Sequence, residues 1–82
     1  MAVWTIQAQY DDEAQVWYST EGEIPGLAAD AKTLEQLVAK VGAMLPDLIE
    51  IHRDDFVDPT RLDAPHSIRI VAFHEREYPV AA

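Results

Sequence analysis

The sequence predicts an α+β fold: a two-layer β-β-β-α-β sandwich, one antiparallel-rich sheet with a single kinked helix on one face. Three observations carry this reading. Residues 3–10 alternate with period two, and residues 67–77 alternate again, as strands do when one face is buried. Leu34, Leu37, Val38, Val41, Leu45, Leu48 and Ile49 recur at three- and four-residue steps, which draws one apolar stripe along a helix. Turn residues separate these segments in an order that leaves three strands, a helix and a returning strand.

In the first strand, Trp4, Ile6, Ala8 and Tyr10 point one way, and Val3, Thr5, Gln7 and Gln9 point the other. Asp11-Asp12-Glu13-Ala14 supplies turn chemistry, because an aspartate side chain accepts hydrogen bonds from the backbone just beyond it. Residues 15–20 are rich in aromatic and β-branched types and make a second strand. The short connection makes the pair an antiparallel hairpin. Residues 21–23 form a loop, and Pro25-Gly26 suits the centre of a type II turn: proline presets the first φ and glycine accepts the positive second. Residues 27–31 follow as a short third strand, where Ala28 and Ala29 allow another element to pack close.

Thr33 opens the helix, and Thr33-x-x-Gln36 reads as a capping box. The apolar stripe behind it is the core face against the sheet. Pro46 lies within the stripe; it has no N–H for the Gly42 carbonyl and its ring crowds that carbonyl. The helix is therefore expected to kink or pause near 42–46 and to resume to about Arg53. Residues 54–66, with Pro59 and Pro65, read as a loop, residues 67–77 as the last strand, and residues 78–82 as a tail. Ser67, Arg69, Val71, Phe73 and Glu75 fall on one face of that strand, and Ile68, Ile70, Ala72 and His74 on the other.

With 82 residues the chain makes a single domain, 1–82, with a thin core. A hydrophobic fraction of 49% places it among globular rather than disordered sequences. There are no cysteines, which excludes a disulfide framework and thiolate metal sites. The segment after Met1 is not an apolar leader, and Lys40, Gly42 and Pro46 interrupt the helical segment. A soluble, cytoplasmic protein is expected. The formal charge of −9 repels phosphate backbones, so no direct nucleic-acid binding is expected. The same field would attract and steer a basic protein.

No catalytic constellation emerges. His52, His66 and His74 lie on three different predicted elements without helical ligand spacing, so no metal site is expected. Asp11, Asp12 and Glu13 share a solvated turn, which gives paired carboxylates neither burial nor distinct environments. Asp54, Asp55 and Asp58 lack the spacing and closing glutamate of a calcium loop. Ser19 and Ser67 are not in a nucleophile elbow, and Gly22, Gly26 and Gly42 are too scattered for a phosphate loop. The expectation is a non-enzyme without cofactors.

Trp17 and Tyr18 adjoin on one strand and so point to opposite faces, and Val71 and Phe73 oppose Ile70 and Ala72 in the same way. A single helix covers one sheet face only, and uncovered aromatic surface beside polar residues suggests a contact site. Trp17, Tyr18, Ile24, Pro25, Val71 and Phe73 are therefore the candidate partner or oligomer interface.

Asp11-Asp12-Glu13 followed by Val16-Trp17, then Ile24-Pro25-Gly26-Leu27, then Ala31-Lys32-Thr33-Leu34-Glu35-Gln36-Leu37, resembles the HicB-like antitoxin domain, in particular its short single-domain members. Pro46-Asp47-Leu48-Ile49-Glu50 fits the same likeness, which covers roughly residues 3–50. The resemblance implies a degenerate ribonuclease H-like β-β-β-α-β fold and a dimeric or higher assembly. The partner it implies is a HicA-like toxin, a small basic ribonuclease that the antitoxin masks. Longer members carry a DNA-binding segment, for which residues 67–82 leave no room. The alternative is an orphan regulatory or small-ligand-binding homo-oligomer, with a pocket beside the helix and no toxin. An enzyme would need convergent carboxylates, such as Asp11 with Glu75, and a divalent metal.

Overall fold

The computed structural model describes residues 2–20, 22–56, 62, 65–73 and 79–80, and it is an α+β sandwich. The elements are β1 (Ala2–Asp11), β2 (Val16–Thr20), β3 (Ala28–Ala31), α1 (Leu34–His52) and β4 (His66–Phe73), with a 3-10 turn at Arg53–Asp55. One four-stranded mixed sheet runs in the order β3-β2-β1-β4. β2 pairs antiparallel with β1 and β3, while β4 returns beside β1 in parallel. That parallel pairing needs a crossover, and α1 with the segment after it provides one.

The hairpin turn uses the Asp11 side chain on its backbone. Asp11 Oδ1 accepts from the N–H groups of Glu13 and Ala14 at 3.0 and 3.2 Å, and the Asp11 carbonyl accepts from Gln15 N–H at 2.7 Å. Closing the turn puts Gln15 at φ +58°, a left-handed position for a residue with a side chain. The second turn is of type II: Leu27 N–H donates to the Ile24 carbonyl at 3.3 Å, and Gly26 has φ +78°.

Thr33 has extended backbone and accepts from Gln36 N–H at 3.1 Å, which satisfies one of the free donors at the start of α1. The helix then runs unbroken through Pro46 to His52, so the expected pause does not occur. Gly42 and Pro46 are both solvent-exposed, so water can reach the carbonyl that Pro46 leaves without a donor. One turn to either side, Leu37, Val41, Leu45, Leu48 and Ile49 are buried on the sheet. At about 1.5–3 kcal/mol for each large apolar side chain, that stripe outweighs one proline defect.

The core lies between α1 and one sheet face: Ala2, Trp4, Ile6 and Ala8 of β1, Ile24 and Leu27 of the turn, and the helix stripe. Phe56 and Leu62 close it beyond the helix end, where Phe56 meets Trp4 edge to face at 5.3 Å between ring centres. Trp4 Nε1 donates to His66 Nδ1 at 2.9 Å, which ties β1 to the start of β4. The last strand ends at Phe73 within the described residues; His74, Glu75 and residues 76–77 of the expected strand lie outside them, as do Asp58 and Pro59 of the loop.

Candidate functional site

The sheet face turned away from α1 gathers the residues with surface to offer. Register aligns them. Gln9 of β1 stands opposite Tyr18 of β2 and Phe73 of β4, and Tyr18 stands opposite Asp30 of β3. One cross-strand row, Asp30–Tyr18–Gln9–Phe73, thus spans all four strands. Tyr18 Oη donates to Gln9 Oε1 at 2.7 Å within it. The adjacent rows hold Gln7 with Val71 and Thr5 with Arg69. Val71 is 50% exposed and Phe73 is 73% exposed. A hollow of about 480 Å³ lies between these β4 residues and Gln7, Gln9 and Asp12.

A second hollow, of about 440 Å³, opens where β1 and β2 part. Their ladder covers three residue pairs, Gln9 with Tyr18, Tyr10 with Trp17 and Asp11 with Val16. Past it the turn after β2 reaches the gap: the Glu23 carboxylate accepts from Thr5 N–H at 2.6 Å, and Ile24 and Leu27 are buried. Thr5, Gln7, Gln9, Tyr18, Thr20 and Glu23 give the hollow its polar lining. Amides and hydroxyls dominate, with one carboxylate already engaged by the backbone. This set can hydrogen-bond to a ligand or a protein surface. A general acid–base pair needs two titratable groups in contrasting environments, which the lining does not hold.

The six residues marked in the sequence divide. Tyr18, Val71 and Phe73 share the outer face, and Tyr18 and Phe73 share a row. Trp17 turns to the helix side, where its ring meets Tyr10 edge-on at 5.1 Å and packs partly buried against the core. Ile24 is 0% exposed, so it is a core residue and not a contact residue. The parting of β1 from β2 admits it to the interior. Pro25 is half-buried in the turn, next to Gly26, which packs against the His52 imidazole at the end of α1. Gln7, Gln9, Thr20, Glu23 and Arg69 were not singled out, although the alternation of β1 already placed Gln7 and Gln9 on its polar side.

His52 and His66 lie at the helix end and on β4, and His74 is outside the described residues. Among the described residues, no group of three or more His, Cys, Asp or Glu could hold a metal ion. No described helix is long and apolar enough to cross a membrane.

Residues 3–73 match the family described as a domain of unknown function, DUF1902. Among solved structures, the chain is similar to the crystal structure of hypothetical protein TTHA1013 from the extremely thermophilic bacterium Thermus thermophilus. The TM-score is 0.70 and the identity 34%, over 93% of this chain and 99% of that one. No curated protein matches.

Proposed function

This chain belongs to the DUF1902 family, and we propose that it is a non-catalytic protein-interaction module resembling the HicB-type antitoxins. It assembles with itself and masks a small basic toxin ribonuclease of the HicA kind. It works in the cytoplasm, without a cofactor and without binding nucleic acid or a membrane directly. The observation that carries this reading is the outer sheet face, where Tyr18, Val71 and Phe73 lie exposed or half-exposed among amides and hydroxyls. Apolar and aromatic anchors ringed by hydrogen-bonding groups are the usual make-up of a protein interface. The charge of −9 would draw a basic protein toward the molecule, and the sequence resemblance names the kind of basic protein.

A low-salt pull-down with the full chain, repeated with Phe73→Glu and Tyr18→Ala, tests the proposal. Stoichiometric recovery of a small basic protein, lost in both variants, is expected, and co-expression should relieve that protein's toxicity. Recovery of the chain alone would overturn the toxin-masking reading. It would favour an orphan ligand-binding homo-oligomer, for which the 440 Å³ polar hollow is the specific support. That hollow is on the sheet side and not beside the helix, where the orphan reading expected its pocket.

A further inference from the structure

The two edges of the sheet are finished differently. β3 is four residues long, and Lys40 of α1 guards it: Nζ donates to the Asp30 carbonyl at 2.9 Å and lies 3.7 Å from its carboxylate. A short edge strand with a charged side chain laid against it is protected from further pairing. β4 has eight residues, His66-Ser67-Ile68-Arg69-Ile70-Val71-Ala72-Phe73, without a proline or an acidic side chain. One side of it pairs with β1, and among the described residues no strand pairs with the other. Its neighbours Trp4 and Ile6 are buried, yet Ile68 and Ile70 on the helix side are only half-buried, and Val71 and Phe73 on the outer side are exposed. Among the described residues, the strand is under-covered on both faces as well as along its edge.

We infer that the outer edge of β4 is the site at which a second copy of this chain docks, joining two sheets into one of eight strands. This deepens the self-association in the reading above and does not depend on a toxin. Charge selects the occupant. Two copies that each carry −9 repel each other least where acidic groups are absent, and β4 is such a place. Its one formal charge is that of Arg69, so the edge itself adds no electrostatic attraction for a basic protein.

Symmetry then restricts the register. Two identical edges pair antiparallel about a two-fold axis normal to the sheet, with both helices on one side. Each residue must oppose one from the same face, so the axis passes through a residue position. An axis at Arg69 sets two guanidinium groups directly opposite, which is destabilising. An axis at Ile70 sets Ile70 against its own copy, Ile68 against Ala72, Arg69 against Val71, and Ser67 against Phe73. That register places half-buried Ile68 and Ile70 in one apolar cluster and separates the two cations.

The chain has no cysteine, so any disulfide reports the position where it was introduced. Sedimentation of the full chain should show a dimer. Under mild oxidation Ile70→Cys should form the interchain disulfide, because directly opposed strand residues fall within disulfide reach. Val71→Cys alone and Ala28→Cys on the other edge should not. Arg69→Cys mixed with Val71→Cys should yield the mixed disulfide; both sites are exposed, so this result stands even if Ile70→Cys misfolds. A monomer by sedimentation overturns the inference, as does a dimer that links through Ala28→Cys. Linkage of Val71→Cys to itself overturns the Ile70 register. The antitoxin reading fails in a different experiment, the capture of the basic protein, so the two outcomes are distinguishable.

Discussion

Gly26 joins the strand layer to the helix layer in one residue. Its φ of +78° is left-handed, and a Cβ there would meet the His52 imidazole, Nε2 and Cδ2 first. Gly26→Ala therefore meets two separate penalties, backbone strain and a collision, and should lower stability by about 1–3 kcal/mol in urea unfolding. The double variant with His52→Ala should recover the collision part and leave the φ part, which a double-mutant cycle resolves. Ser19 presents the reverse case. It is 2% exposed, on the helix side opposite Ala29, and its Oγ has no hydrogen-bond partner among the described residues. Ser19→Ala should raise the unfolding midpoint, by about 0.5–2 kcal/mol of stability, because the desolvated hydroxyl is removed. A fall would show that the hydroxyl is satisfied in solution. The turn at Gly26 was legible in Pro25-Gly26 itself, since its φ requirement is local. The burial of Ser19 and Ile24 was not, because it depends on how soon β1 and β2 part beyond their hairpin turn, which no local pattern fixes.

At the scale of elements, α1 carries the clearest conflict between a local rule and the tertiary fold. Pro46 removes one intrahelical hydrogen bond, and the helix nevertheless continues for six more residues. Leu48 and Ile49 lie beyond the proline and are buried, so ending the helix there would expose them. Pro46→Ala restores the donor to the Gly42 carbonyl at an exposed position and should stabilise the protein by about 1–3 kcal/mol, read from the urea midpoint. A loss of stability would mean that the fixed φ of Pro46 favours the folded helix more than the missing hydrogen bond costs it. The strands and helix were legible because period two in residues 3–10 and the three- and four-residue steps from Leu34 to Ile49 are local patterns. The outer-face row was only half legible. Tyr18, Val71 and Phe73 could be marked as uncovered, but their alignment through Gln9 depends on β4 lying parallel beside β1. Nothing within either strand specifies that neighbour.

For the whole molecule, the acidic balance and the acid-free β4 edge respond differently to salt. At −9, two copies repel each other, and a basic protein is attracted. The Debye length falls from about 10 Å at 0.1 M to about 3 Å at 1 M, so salt weakens both effects between exposed charges. The β4 pairing rests on backbone hydrogen bonds and on Ile68, Ile70, Val71 and Phe73, which salt does not screen. Raising the ionic strength should therefore hold or tighten the dimer in sedimentation while it releases a captured basic protein. This contrast separates the two surfaces without any mutation. A dimer that dissociates as salt rises would be held by pairs of opposite charge, and that would move self-association away from β4. A basic partner that stays bound in high salt would instead be held by the apolar row of Tyr18 and Phe73, and then Phe73→Glu should release it at any ionic strength.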